Sequence, residues 1–236
     1  MPKTALRSKA GPRRTGYHHG ALREALIDAS ESLLAERGLD GFSLREVARR
    51  SGVSPAAPAH HFGDVGGLLT AVATHAFDGL TAALEAGNAR GGSDPVARLR
   101  EQGLGYVGFA LRYPGRFGLM FRAGPHNDDG LVRSAQAAFA ALENGVRGLY
   151  SVPPSDPLEP AQWNSLLSIW SVVHGFAHLA LAGQLERFAP GGDGEALLRE
   201  TLGPMLDQHL SALRRGTDQP APTKRVASSS VSPSHR

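Results

Sequence analysis

Phe42-Ser-Leu-Arg-Glu-Val-Ala-Arg-Arg-Ser-Gly-Val-Ser-Pro-Ala-Ala-Pro-Ala-His-His-Phe62 carries two short helix signals on either side of one glycine. The first opens at Ser43 with Glu46 three residues on, the spacing of a capping box. The serine side chain takes the Glu46 amide, and the carboxylate takes the Ser43 amide. Leu44, Val47 and Ala48 supply a small apolar face behind it. Gly52 supplies the turn, and Val53 plugs the angle between two helices. Ser54 then reads as an N-cap and Pro55 as the first helical residue, where a missing amide costs nothing. A helix, a tight turn and a short second helix make a helix-turn-helix pattern.

The rest of the 236 residues is read outward from that stretch. A chain of this length buries a real core and holds one or two domains. It has no cysteine, which excludes disulfides, thiolate metal sites and cysteine nucleophiles. No uninterrupted apolar run reaches the roughly 18 residues of a membrane span. The basic N-terminus lacks the apolar core of a signal peptide, so a cytoplasmic protein with no membrane association is expected. The formal net charge is only +3, but six Lys or Arg residues precede the first acid, Glu24. The middle of the chain is mildly acidic, and the tail beyond Arg214 is basic again. A basic arm beside a helix-turn-helix suits a phosphate backbone.

Periodicity predicts helices throughout and strands nowhere. Residues 1–16 lack a pattern and are expected to be disordered. Leu22, Leu26, Ala29 and Leu33 mark a helix over about 21–37, widened by Ile27 and Leu34 and stopped by Gly38. Asp64 caps a helix that ends near Gly87, with a loop over 88–94. Further helices are predicted over 95–112, 131–149, 160–182 and 194–213, with a short turn holding Phe117, Met120 and Phe121 after Pro114. The tail after Arg214 reads as disordered. The fold class expected is all-α: an N-terminal three-helix unit with the helix-turn-helix over 17–64, then a helical domain over 65–214, with tails at 1–16 and 215–236. The three-helix unit is marginal alone and should lean on the helix beginning after Asp64.

The helix-turn-helix resembles the DNA-binding motif of the TetR family of bacterial transcriptional regulators. Gly38-Leu39-Asp40-Gly41-Phe42-Ser43, Val47-Ala48, Gly52-Val53-Ser54 and His61-Phe62 all fall at family spacings. Trp170-Ser-Val-Val-His174-Gly175 resembles a Trp-x-x-x-His-Gly motif of one C-terminal subclass. The resemblance implies a DNA-binding regulator, by family habit a repressor, with a helical ligand-binding and dimerisation domain. It implies no enzyme activity and no cofactor. The partners implied are double-stranded DNA with a palindromic operator, a small-molecule effector, and a second copy of the chain docked through the last two helices. The second helix of such a motif enters the major groove. Ala57, His60 and His61, following Ser54 and Pro55, are the side chains placed to reach bases or phosphates. Arg45 stands where the family places a polar DNA-contacting residue, and Ser43 caps the same helix. Two departures matter: many members have tyrosine at the position of Ala59 and lysine at that of Val65, so this chain is expected either to bind more weakly or to lean on its basic arm and Arg45.

The aromatic and sulfur residues of the middle are candidates for an effector pocket between helices. They are Phe109, Tyr113, Phe117, Met120, Phe121, Phe139, Trp163 and Trp170, with His174, Asn164 or His126 as the polar handle. Such a pocket favours an apolar or aromatic molecule. Rival chemistries have less support. His174 and His178 have metal-ligand spacing but lack a secure third ligand, so no metal site is assigned. No nucleophile elbow or glycine-rich phosphate loop is present. A helical partner-binding protein, or an enzyme without recognisable motif, is the alternative.

Overall fold

The computed structural model describes residues 15–122, 128–188 and 193–217. The disorder expected for residues 1–14 and 218–236, and the handle proposed at His126, lie outside the described residues. Those described are helical with short connections and form no strand. In chain order the helices are α1 (Thr15–Arg37), α2 (Leu44–Arg50), α3 (Ala57–Phe62), α4 (Val65–Arg90), α5 (Pro95–Arg112) and α6 (Pro114–Met120). They are followed by α7 (Asp129–Tyr150), α8 (Pro160–Leu181), α9 (Gly194–Ala196) and α10 (Gly203–Thr217).

α1 to α3 form the small N-terminal unit. Leu26, Ile27, Leu33, Leu34 and Val47 are buried at its centre, with Leu22, Leu44, Val53 and Phe62 packed around them. Each fully buried aliphatic side chain is worth roughly 1.5–3 kcal/mol. The unit does lean on its neighbour: Leu68, Ala71 and Val72 of α4 complete the same cluster. Further along α4, Ala76, Leu80 and Leu84 belong to a second cluster with α5, α6, α7, α8 and α10. α4 is therefore shared between both cores. Among the described residues it is also the one helix long and apolar enough to cross a membrane. Its packing against both clusters explains that composition, because a helix buried on several sides is apolar nearly all round.

Several boundaries differ from those expected. α1 begins at Thr15, so residues 15–16 are helical. α4 continues through Asn88 to Arg90 before the connection, and α7 starts at Asp129, two residues early, with Asp128 as its N-cap. α10 runs to Thr217, so Arg214 and the three residues after it are helical too. Between α9 and α10 a π-helical segment, Leu197–Leu202, replaces ordinary α geometry. Two features of the sequence account for it. Pro204 has no amide to donate to Glu200. The i to i+5 spacing also puts Leu197 and Leu202 both inside, where they are 6% and 0% exposed.

Candidate functional site

The N-cap of α2 forms as expected: Ser43 Oγ accepts from the Glu46 amide at 3.1 Å. The second half of the capping box does not form. The Glu46 carboxylate instead accepts from Arg49 Nε at 2.8 Å and Nη2 at 2.7 Å, and from Arg50 Nε at 3.1 Å. These bonds, Arg49 first and then Arg50, hold the Glu46 pKa down at about 2. Arg50 also reaches Glu36 on α1 at 2.6 and 2.8 Å. Glu36 is held below its ordinary value chiefly by that hydrogen bond. Arg49 and Arg50 are thus engaged with carboxylates, and Arg50 fastens α2 to α1.

The turn closes as a Schellman motif. Val53 N–H bonds the Ala48 carbonyl at 3.0 Å and Gly52 N–H bonds the Arg49 carbonyl at 3.3 Å, with Gly52 at φ +67°. Only glycine takes that left-handed conformation without strain. The second helix does not open at Ser54 and Pro55, which are exposed turn residues; α3 starts at Ala57 after Ala56, with no side-chain cap. The reason is Pro58. A helix capped at Ser54 would need the amide of residue 58 to reach the Ser54 carbonyl, and proline has none. That carbonyl instead takes the Ala57 amide at 3.0 Å in a tighter turn.

Ser43, Arg45 and Pro55 come together. With Arg37, Glu46, Arg49 and Val53 they line a surface hollow of about 440 Å³. Arg45 is exposed and, unlike Arg49 and Arg50, has no ion-pair partner among the described residues. Ser54, Ala57, His60 and His61 lie outside that hollow on the turn and on α3. Ala57 and His61 are half-buried, His60 is exposed, and the two imidazoles meet edge-on at 5.7 Å. Ala59 is exposed, as is Val65 at 42%.

A cavity of about 390 Å³ lies between α4, α5, α7 and α8, closed at one end by α6 and its following turn. Of the residues expected there, Met120, Phe121, Phe139 and Trp170 line it. The other five do not, and each has a reason. Phe117 is fully buried behind it, edge-on to Tyr106 and Phe121. Phe109 and Tyr113 turn to the opposite side of α5, where they line a separate groove with Arg90, Arg112 and Arg116. Trp163 is 38% exposed and stacks on the outer side of Phe139 at 6.3 Å. His174 sits behind the wall with its Nδ1 2.8 Å from the Tyr106 hydroxyl. Burial, and then His178, lower the His174 pKa from 6.5. Asn164 does not line the cavity either.

The wall residues missed by the sequence reading include Phe77, Leu99, Gln102, Gly103, Tyr106, Ile169 and Val173. Leu99, Gln102, Gly103 and Tyr106 recur at three- and four-residue steps on α5, so their shared helix face was a signal. Gln102 is the polar group inside: it is 3% exposed and its Nε2 donates to the Ala141 carbonyl at 2.8 Å. His174 and His178 meet edge-on at 4.5 Å, but no group of three potential metal ligands occurs among the described residues.

The cavity and the N-terminal unit share physical parts. α6 presents Met120 to the cavity, while Gly115 on the same helix touches α1. A β-carbon on Gly115 would stand 2.8 Å from the Ala35 nitrogen, so only glycine permits this approach. Beside it Arg116 pairs with Glu31 of α1, whose carboxylate also meets His75 Nδ1 of α4 at 3.2 Å.

Comparison with known proteins agrees with this geometry. Residues 26–72 match the model of bacterial regulatory proteins of the tetR family, and 99–205 match that of the tetracyclin repressor-like C-terminal domain. The HTH-type transcriptional regulator BetI of Burkholderia thailandensis is 41% identical over 78 residues, which are 33% of this chain and 40% of that protein. The chain thus spans well under half the length of the curated relatives it matches. A solved protein of unknown function from Rhodococcus sp. RHA1 is 32% identical with a TM-score of 0.67, covering 85% of this chain and 97% of that one. The TetR family regulator PfmR of Thermus thermophilus shares the fold at 18% identity and a TM-score of 0.55, over 82% of this chain and 99% of that one. With its helix-turn-helix and its helical C-terminal part both matched, the chain belongs to the TetR family of bacterial regulatory proteins.

Proposed function

We propose that the protein is a cytoplasmic, homodimeric transcriptional regulator, acting as a repressor. It binds a palindromic operator and releases it when a small apolar or aromatic molecule enters the cavity between α4, α5, α7 and α8. The observation that carries this reading is Arg45. It is an exposed guanidinium with no carboxylate partner among the described residues, beside Ser43 and Pro55, on a unit whose Arg49 and Arg50 are occupied. An unpaired cation at the open face of a helix-turn-helix is available to a phosphate or a guanine edge. Ser43, Ser54, Pro55, Ala57, His60 and His61 complete the proposed contact surface.

The dimer is proposed to form through α8 and α10. α8 exposes Leu167 at 49% and Leu179 at 48%, with Gly175 between them, and such a face favours close approach of a second helix. Two-fold pairing would place two reading heads on one palindrome. The proposed division into a reading unit, 17–64, and an effector unit, 65–214, falls at the start of α4, which reaches into both cores. Release of a labelled upstream duplex on addition of a cavity ligand tests the reading. A duplex retained at saturating ligand, or never bound by the dimer, would overturn it.

A further inference from the structure

α4 and α5 also enclose a groove of about 330 Å³, on the side of α5 that Phe109 and Tyr113 face. Its floor is made of small residues, Gly79, Ala83 and Ala86 of α4 with Gly105 and Gly108 of α5. A β-carbon on Gly105 would stand 2.7 Å from the Ala83 carbonyl oxygen, so only glycine lets the two helices come this close. Three arginines stand along the groove: Arg90 ends α4, Arg112 ends α5 and Arg116 lies on α6. The lining contains no acidic side chain. Arg90 and Arg112 are exposed, so the groove is open to solvent.

Arg112 donates its Nε to the Tyr113 hydroxyl at 2.9 Å and has no carboxylate partner among the described residues. Its guanidinium and that of Arg116 lie 5.5 and 4.3 Å from the centre of the Tyr113 ring, which helps to hold both in place. Arg116 donates Nη2 to Glu31, while its Nη1 lies 4.0 Å from where a β-carbon on Gly79 would stand. Arg90 donates Nε to Glu101 at 3.3 Å and brings Nη2 to 3.9 Å from the β-carbon position of Gly105. Gly105 meets α4 at Ala83, one helical turn beyond Gly79, about 6 Å along the axis. The three guanidiniums therefore gather over a span that one small anion covers. Like charges this close repel one another, and a multivalent anion between them relieves that repulsion. The flat guanidinium fork also matches the paired oxygens of a carboxylate or phosphate.

We infer that this groove binds a compact multivalent oxyanion, a phosphate ester or a small polycarboxylate, held by Arg112 and Arg116 with Arg90 at its far end. The site is separate from the cavity between α4, α5, α7 and α8. It is also separate from the proposed operator surface, because Gly79 lies about 21 Å along α4 from Val65. The positive charge is confined to one groove of small-molecule size, whereas an acidic peptide would need a longer basic track.

The test is calorimetry on the full-length protein at constant ionic strength, with pyrophosphate, tricarballylate and, as the monovalent control, acetate. Pyrophosphate, tricarballylate or both are expected to bind, and acetate is not; which of the two binds tells phosphate esters from polycarboxylates. Arg112→Gln is expected to weaken that binding by on the order of tenfold. Arg133→Gln, which removes an exposed arginine of α7 outside the groove, is expected to leave it unchanged. Ala86→Glu puts a carboxylate at an exposed helical position of the lining and is expected to weaken it too, which decides the matter should Arg112→Gln not fold. No binding of either multivalent anion, an equal loss in Arg112→Gln and Arg133→Gln, or unchanged binding by Ala86→Glu overturns the inference. Binding of a polyglutamate peptide alone, lost in Arg112→Gln, overturns it in favour of a docking surface for an acidic protein. Operator binding is expected to be the same in the wild type and in Arg112→Gln, so failure of the groove leaves the proposed function standing.

Discussion

Arg116 on α6 is ion-paired with Glu31 on α1, and their side chains are only 15% and 10% exposed. The pair ties the helix that closes the cavity to the first helix of the reading unit, next to the Gly115–Ala35 contact. His75 of α4 bonds the other oxygen of Glu31 at 3.2 Å. Three elements that connect the two cores therefore meet on one carboxylate. Arg116 also lies over the Tyr113 ring, 4.3 Å from its centroid.

Removing one member of the pair strands the other. Arg116→Ala is expected to destabilise the fold by an amount near the lower end of the roughly 3–5 kcal/mol seen for broken buried pairs, since neither group is wholly dry. The double variant Glu31→Leu with Arg116→Met should regain most of that loss. If the pair transmits ligand binding, the double variant will still bind DNA and a cavity ligand, but the ligand will lower DNA affinity less than in the wild type. Thermal melts and DNA titrations with and without ligand check both statements.

Arg45→Ala is expected to weaken operator binding by about 1–3 kcal/mol if it reads a base, or to flatten the log-log salt slope by about one if it meets a phosphate. Its melting temperature should stay close to that of the wild type, because Arg45 has no ion pair to lose among the described residues. Arg50→Ala should behave in the opposite way, with a clear loss of stability through the bonds to Glu36 and Glu46. Anisotropy titrations at several salt concentrations, alongside melts, separate the two.

Val65→Lys is expected to strengthen binding to cognate and random DNA alike and to steepen the salt slope by about one. Val65 is the first residue of α4 and 42% exposed, so a lysine there does not break a packed joint. The cation meets the helix dipole unfavourably by roughly 0.3–1 kcal/mol, which a bound phosphate offsets. Equal or weaker binding with unchanged melting temperature would mean that α4 does not start near the DNA backbone.

The pH dependence should carry a signature of His174. Burial, and then His178, lower its pKa, so the folded protein resists protonating it while the unfolded chain titrates near the ordinary 6.5. Its contribution is therefore complete above that value and declines as pH falls through it toward the lower folded pKa. Once protonated, Nδ1 can only donate, so the Tyr106 hydroxyl must then be the acceptor of their bond. On lowering the pH from neutral into the mildly acidic range, the fall in melting temperature should be steeper in the wild type than in His174→Asn. A parallel fall would contradict it. Using the difference between the two removes the other histidines, including His75 beside Glu31.

The fold was largely legible in the sequence because its punctuation is local. Ser43, Gly52, Asp64, Asp94 and Pro95 each act on the backbone within a few residues, and α5 begins and ends where they and Pro114 require. The misread boundaries have physical causes. Pro58 delays α3 by withholding an amide, and Pro204 helps to shift the last helix into a π segment. The tails of α1 and α10 are polar, so no apolar stripe marked residues 15–16 or 214–217. The cavity was legible only in kind. Aromatic residues do build it, but composition does not say which side of a helix a ring takes. Phe109 and Tyr113 face away from it, while Tyr106, one turn earlier, faces in. Gln102 escaped notice because a glutamine on an apolar face gains its meaning only from the bond to Ala141, on a helix distant in sequence.

The most direct measurement is a selection of binding sites from a pool of randomised duplexes, using the full-length protein at physiological salt, followed by addition of a molecule that binds the cavity to the selected complex. Enrichment of one two-fold-symmetric sequence, bound more weakly by Arg45→Ala and released by a cavity ligand in the wild type, is the expected result. Recovery of a pool no different in sequence from the starting one would contradict the assignment of this chain as a sequence-reading regulator.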